Sequence, residues 1–501
     1  NPAAYLPNLA TSLNNLSTRM SELGRRDEGL AAIEEATAIY RRLSEANPGA
    51  HLPDLAMSLN NLSNRMSELG RRDEGLAASE ESTAIRRRLA KANPAAYLPN
   101  LATSLNNLST RMSELGRHDE GLAILEESTA IRRRLAEINP AAYLPNLATS
   151  LNNLSTRMSE LGRHDEGLAV SEEATAIYRR LAKANPAAYL PNLATSLNNL
   201  STRMSESGRH DEGLAVSEEA TAIRRRLAEA NPAAYLPNLA MSLNNLSIQM
   251  SELGRRDEGM AASEEATAIY RRLAKANPAA YLPDLAMSLN NLSIRMSELD
   301  RRDEGLAAIE ESTAIYRRLT EANPAAYLPN LATSLNNLSA DLSERGRRDQ
   351  GLAAIEEATA IRRRLAEANP AAYLPNLAMS LNNLSIRIGE LGRHDEGMAA
   401  SEEATAIYRR LAKANPAAYL PNLAMSLNNL SIRMSELDRH DEGLDAIEES
   451  TAIYRRLAKA NPAAYLPNLA TSLNNLSNLL KVLGRVDEAE AIGGEAARLS
   501  R

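Results

Sequence analysis

The apolar residues of the opening segment, Leu6, Leu9, Leu13, Leu16, Met20 and Leu23, stand at steps of 3, 4, 3, 4 and 3. That spacing keeps them on one helical face and predicts a first helix, A, starting near Pro7, where a proline forfeits no helical hydrogen bond. Asn1-Pro2-Ala3-Ala4-Tyr5 ahead of it reads as a connector, because the residue before a proline is pushed out of the helical region. Gly24 ends the stripe and predicts a left-handed C-terminal cap; Asp300 and Asp438 replace it in two copies, which that geometry tolerates less well. A second helix, B, is expected from an Asp27 N-cap, burying Leu30, Ile33, Ala36, Ile39 or Tyr40, and Leu43. Its acidic residues come early and Arg41 and Arg42 late, as the helix dipole favours. Gly29, Ala32 and Ala36 are small enough for helix A to approach closely, and Asn47-Pro48 closes the unit.

The same pattern returns every 46 residues without losing phase, marked by Leu13-Asn14-Asn15-Leu16 and its copies as far as Leu473 to Leu476. Blocks start at 1, 47, 93, 139, 185, 231, 277, 323, 369, 415 and 461, the last being 41 residues long. Such a repeat decides the fold before any local argument. The expectation is an all-α chain, one repeat domain over 1-501, forming an α-solenoid of eleven helix-turn-helix repeats. Two antiparallel helices of about 17 to 19 residues cannot bury both faces alone and so stack on their neighbours at about 8–10 Å. Block 11 carries Leu479, Leu480 and Val482 in helix A, then Gly493-Gly494 and a charged end from Glu495 to Arg501. It reads as a C-terminal cap and a natural end. Block 1 shows no matching cap, and a chain opening on Asn1 reads as a fragment.

Composition then removes function classes. The absence of Cys excludes disulfides, thiolate metal sites and Cys nucleophiles. A net charge of -7, with both signs alternating in every block, leaves no basic footprint for nucleic acid. No apolar run reaches the roughly 18 residues of a membrane span, and no secretory signal is visible. No membrane partner is expected, and the location expected is cytoplasmic. Phosphate-binding glycine loops, nucleophile elbows and paired-His metal motifs are missing, so neither cofactor, metal nor catalysis is expected.

These residues resemble the tetratricopeptide repeat, in the lengthened form found in kinesin light chains and many bacterial signalling proteins. With Leu13 on that motif's first large position, Leu16, Met20, Gly24, Gly29, Ile33 and Ala36 fall on its other signature positions. Asp487-Glu488-Ala489 matches the motif better than Asp27-Glu28-Gly29 does. The period of 46, the lack of an aromatic at the first large position and the displacement of the closing proline to Pro48 depart from it. The resemblance implies a right-handed superhelix whose concave wall is lined by helix A, with Thr11, Asn14, Thr18, Ser21 and Glu22 facing the groove in block 1. It also implies a protein or peptide ligand, held along its backbone by groove asparagines. Here these would be Asn14, Asn60, Asn106, Asn152, Asn198, Asn244, Asn290, Asn336, Asn382, Asn428 and Asn474. An amide both donates and accepts, so such a ladder grips a peptide backbone without dictating sequence.

Differences between blocks mark one part of this face. The positions of Thr11 and Thr18 are seven apart, on one helix face. Both turn apolar together in four blocks: Met241 with Ile248, Met287 with Ile294, Met379 with Ile386, and Met425 with Ile432. Block 8, between them, keeps Thr333 and Ala340, and the N-terminal half stays mostly polar, with Met57 beside Asn64. The expectation is an apolar groove in the C-terminal half for a hydrophobic or amphipathic peptide; copying of one Met/Ile block during duplication is the plainer origin of the same pattern.

His118, His164, His210, His394 and His440 each stand alone in a turn, about one repeat from the next, too far apart to share a metal. Glu34-Glu35 pairs do not face each other on a helix and read as a solvated face. Arg41-Arg42, extended in some blocks by Arg86, Arg132, Arg224 or Arg362, reads as a basic patch near the end of helix B. The reading is a non-enzymatic binding scaffold, the sensor arm of a larger signalling protein. Alternatives are a structural array, filament or spacer that self-associates through its uncapped N-terminus, and a consensus-designed array. Ser207 in a stripe position and Gln249 in place of Arg19's equivalents favour natural duplication and drift.

Overall fold

A computed structural model describes residues 5–499, apart from the side chain of residue 463. Asn1 to Ala4 of the expected connector, and Ser500-Arg501 of the charged end, lie outside the described residues. Among the described residues there are twenty-two helices and no strand. In chain order they are α1 Leu6–Glu22, α2 Arg26–Ala46, α3 Pro48–Glu68, α4 Arg72–Ala92, α5 Pro94–Glu114, α6 His118–Ile138, α7 Pro140–Glu160 and α8 His164–Ala184. Then follow α9 Pro186–Glu206, α10 His210–Ala230, α11 Pro232–Glu252, α12 Arg256–Ala276, α13 Pro278–Glu298, α14 Arg302–Ala322 and α15 Pro324–Glu344. The last are α16 Arg348–Ala368, α17 Pro370–Gly389, α18 His394–Ala414, α19 Pro416–Glu436, α20 His440–Ala460, α21 Pro462–Val482 and α22 Val486–Leu499. Odd-numbered helices are the A helices and even-numbered ones the B helices of an α-solenoid.

Two boundaries differ from the sequence expectation. From block 2 onward helix A begins at the Asn-Pro step, so the connector shrinks to one asparagine and the Pro7 equivalent, Pro53 in α3, lies inside the helix. The reason is that Asn47 serves both ends. Its N–H donates to Leu43 O at 2.8 Å, closing α2, while its side-chain oxygen accepts from Ala50 N at 3.3 Å, opening α3 with Pro48 in the first turn. Helix B begins at Arg26, one residue before the expected cap; Asp27 lies in its first turn. Arg25 precedes it and hooks back onto Glu28, Nε to Oε1 at 2.7 Å.

The end of helix A is a Schellman turn. Gly24 takes φ +77°, its N–H donates to Ser21 O at 2.9 Å, and Arg25 N donates to Met20 O at 2.8 Å. Asp300 and Asp438 hold the same left-handed geometry at φ +58° and +57°. Close approach follows from the small residue at the start of helix B: a Cβ on Gly75 would lie 3.1 Å from the Ser63 carbonyl oxygen of the preceding A helix.

The core lies both within a block, where Ala10 of α1 is fully buried in the same cluster as α2, and between the B helix of one block and the A helix of the next. Ile33, Ala36, Ile39 and Tyr40 of α2 pack with Leu55, Ala56, Leu59 and Leu62 of α3 in one buried cluster. Removing apolar surface from water there is the main favourable term, about 25 cal/mol per Å². On α1, Leu9 and Leu16 are 44 and 42% exposed, whereas their equivalents Leu55 and Leu62 are buried. Register is also marked outside the core: Arg225 forks onto Glu265 of the next B helix at 2.6 and 2.8 Å, and Arg363 does the same with Glu403. Each such exposed pair contributes about 0–1 kcal/mol.

By internal contacts the chain divides into two compact units, Asn1–Glu160 with Ala169–Ser196, and Leu161–Leu168 with Leu197–Arg501.

Candidate binding face on the A helices

In the second unit the A helices α11, α13, α17 and α19 place their Met/Ile pairs at the surface. Met241, Met287, Met379, Met425, Ile294 and Ile432 are 37–41% exposed, and Ile248 and Ile386 are half-buried. Hollows between neighbouring A helices open beside them. Met287, Asn290, Tyr316 and Thr333 line one of about 260 Å³ between α13 and α15. Met425, Asn428, Tyr454 and Thr471 line another of about 240 Å³ between α19 and α21, and Ile432 with Asn475, Leu479 and Val482 a third of about 330 Å³.

The floor of these hollows is set by helix B. Where the A helix carries threonine, the tyrosine beneath meets it: Thr11 Oγ1 lies 2.8 Å from Tyr40 Oη, and Thr149 Oγ1 2.7 Å from Tyr178 Oη. Where methionine replaces threonine that partner is lost, and the bond to a backbone carbonyl, which Tyr178 also makes to Pro145 O at 3.3 Å, remains, as from Tyr270 to Pro237 O and Tyr408 to Pro375 O, both at 3.3 Å. Burial pushes the Tyr408 hydroxyl up to about 12 and raises those of Tyr270, Tyr316 and Tyr454 as well. They remain neutral donors at any physiological pH.

The asparagines of the ladder lie deeper than the Met/Ile pairs. Asn14, Asn152, Asn198, Asn244, Asn290 and Asn382 are buried; Asn60, Asn106, Asn336 and Asn428 are half-buried; Asn474, in the last block, is exposed. Most use one end of the amide on the next block. Asn14 Oδ1 accepts from Asn61 Nδ2 at 3.3 Å, Asn106 Oδ1 from Asn153 Nδ2 at 2.9 Å, and Asn336 Oδ1 from Asn383 Nδ2 at 2.9 Å. In others the partner is a serine, as for Asn152 with Ser196 and Asn382 with Ser426, both at 3.0 Å. The other amide end is orphaned in several. Asn198 Oδ1, Asn244 Nδ2, Asn290 Oδ1 and Asn382 Nδ2 are buried with no partner in the protein. An orphan of this kind costs about 1–3 kcal/mol.

Sequence reasoning missed the role of four arginines. Arg86, Arg132, Arg224 and Arg362 do not extend a surface patch; they occupy the tyrosine position under the A helices. Each donates through Nη1 to a backbone carbonyl of the next A helix, Asn100 O, Asn146 O, Asn238 O and Asn376 O, at 2.8–3.1 Å. Arg362 also reaches Ser380 Oγ at 2.7 Å and Thr333 Oγ1 at 3.2 Å, and is 2% exposed. Desolvation pushes the Arg224 and Arg362 guanidinium groups down to about 10. The signal was available: Tyr and Arg share one position, seven after Ile33 and four after Ala36, on the core face of helix B.

Four of the five turn histidines lie near a glutamate of the following A helix, as His118 Nδ1 at 3.8 Å from Glu160 and His394 Nδ1 at 3.0 Å from Glu436, while His440 Nε2 lies 3.6 Å from Asp438 of its own turn. The Glu35 position is not merely solvated, since it receives the arginine ladder from the preceding B helix. Among the described residues no group of three or more His, Asp or Glu side chains is placed to hold a metal, and no helix is long and apolar enough to cross a membrane.

The family model described as Tetratricopeptide repeat matches residues 9–48, 55–95, 101–140, 147–187, 193–233, 285–324, 331–371, 377–417, 423–463 and 469–501. No curated protein matches the chain. Among solved structures, BtubC (BKLC) from P. vanneervenii is 19% identical, with 50% of this chain and 92% of that one covered and a TM-score of 0.40. A kinesin-light-chain-like protein of Podosopora anserina with nearly identical TPR-like repeats is 19% identical over 45% of this chain and 97% of its own, at a TM-score of 0.35. Yeast Tom70 is 11% identical over 97% of this chain and 98% of its own, at 0.36. Scores at that level support no statement about a ligand.

Proposed function

Since the chain belongs to the tetratricopeptide repeat family, whose arrays are a general type of protein-interaction scaffold, we propose that it binds an extended protein segment along the A-helix face of its second unit, without catalysis of its own. The observation that carries this reading is the coincidence, on one face, of surface-exposed Met/Ile pairs with hollows lined by Asn290 and Asn428. Methionine adapts to varied apolar side chains, and an amide lining a hollow both donates and accepts, as a peptide backbone requires. A role as the sensor arm of a larger cytoplasmic signalling protein fits this reading.

The test is selection from a random peptide display library against the intact chain and against a variant with Ile248, Ile294, Ile386 and Ile432 all changed to Thr. The expected result is enrichment of apolar peptides whose affinity falls at least tenfold in the variant. Peptides that bind both forms equally would sink the reading.

A further inference from the structure

The chemistry of the face varies with a period of three blocks. Taking the A-helix positions of Thr11 and Thr18 with the B-helix position of Tyr40, block 5 carries Thr195, Thr202 and Arg224. Blocks 6 and 7 carry Met, Ile and Tyr; block 8 returns to Thr333, Ala340 and Arg362; blocks 9 and 10 repeat Met, Ile and Tyr; and block 11 opens again with Thr471. The second unit therefore presents the same two-block apolar surface twice, Met241 to Ile294 and Met379 to Ile432, with one polar block between.

That middle block differs beneath the surface as well. Arg295 on α13 and Arg433 on α19 are buried beside carboxylates, Glu298 at 3.1 Å and Glu436 at 2.8 Å, whereas the middle block carries Asp341 at their position, its carboxyl taken up by Ser293 and Ser297 of α13. All three hydrogen bonds of Arg362 go to neutral oxygens. One of them, Thr333 Oγ1, lines the hollow between α13 and α15, and Asn376, whose carbonyl takes another, lines it too. A buried cation without a counter-charge is electrostatically costly, so an anion brought to that wall is favoured.

We infer that the face holds two equivalent apolar sites separated by a cationic one, and that its occupant is a single protein segment with two apolar clusters flanking a carboxylate. The inference rests on the peptide-binding reading above. Neighbouring A helices stack on the order of 10 Å apart, so sites three blocks apart are about 30 Å apart, which about nine residues of extended chain span.

Three fluorescent synthetic peptides test it on the full chain: two leucine clusters nine residues apart with a central Glu, the same peptide with a central Lys, and a peptide with one cluster. The one-cluster peptide is expected to fill two similar sites per chain. The two-cluster Glu peptide should bind one to one and about 10²–10⁴-fold more tightly, the gain expected of linkage. Lys in place of Glu should lose at least tenfold, and this difference should vanish in Arg362→Tyr, a residue that four of the blocks in 231–460 carry at that position. A single site for the one-cluster peptide, or no gain from joining two clusters, overturns the inference while leaving the peptide-binding reading intact. Equal affinity for the Glu and Lys peptides overturns the carboxylate. Binding of none of the three overturns both. Dimerisation of the free chain that is lost in Ile248→Thr/Ile386→Thr would make a second copy the occupant and overturn it too.

Discussion

Ser288 Oγ donates to Asn244 Oδ1 at 3.1 Å, joining an A helix to the A helix of the preceding block, while Asn244 Nδ2 is left buried without a partner. The two ends of one amide thus have separate roles. Asn244→Ala removes the inter-block bond, leaves Ser288 with Thr267 Oγ1 at 2.9 Å, and is expected to destabilise the α11–α13 junction by less than about 1 kcal/mol, since the orphaned Nδ2 goes with it. Native-state hydrogen exchange should show faster opening in α11 and α13 with distant blocks unchanged, since stability in a repeat array is local. Uniform exchange across the chain would contradict this assignment.

Asp300 occupies a left-handed position that nine described glycines take elsewhere. Asp300→Gly relieves the Cβ conflict and loses only an exposed contact with Arg302 at 3.1 Å. A stabilisation of about 0.5–1 kcal/mol is expected, read as a higher denaturant midpoint for blocks 7 and 8. The converse change, Gly254→Asp, should lower it.

Arg362→Tyr exchanges a desolvated cation for the side chain found at this position in the neighbouring blocks. Replacing a buried charge by a well-packed neutral group is often stabilising by about 1–4 kcal/mol, and slower hydrogen exchange in α16 and α17 is the expected readout. Arg362→Ala leaves a cavity instead and should destabilise.

Asp341 stands where most blocks carry arginine. Desolvation raises its carboxyl above the usual 3.8, although Ser293 Oγ at 2.8 Å and Ser297 Oγ at 3.3 Å donate to it. A carboxyl that is harder to ionise when folded contributes stability that is fully present below its unfolded pKa and lost as pH rises through the folded value. Asp341→Asn should therefore match the parent in acid and become relatively more stable as pH rises past that range. Urea unfolding across a pH series checks this; a difference that shrinks with rising pH would reverse the sign.

How much of this could be read beforehand differs by position. The stripe from Leu6 to Leu23 and the Gly24 cap followed from spacing within one helix, and the surface position of Met241, Met287, Met379 and Met425 from the resemblance to the tetratricopeptide repeat. The Asn47 double cap was not legible in the same way. Asn-Pro marked a break in helicity, but whether one residue or five filled it depended on the side chain closing onto Ala50 N. Arg362 was misread because a run of arginines suggests solvent, and only packing against α17 shows one of them turned inward.

The sequence by itself determined the helical pattern, the 46-residue block, its glycine caps and the face that becomes apolar in the second half. These depend on interactions a few residues apart, which every copy repeats. Tertiary structure decided which end of each asparagine is spent on a neighbour, that the Arg362 guanidinium lies beneath a threonine, and that hollows open beside Met287 and Met425. Those outcomes turn on how closely one block approaches the next, a distance set by the summed packing of side chains some 46 positions apart and carried by no single residue.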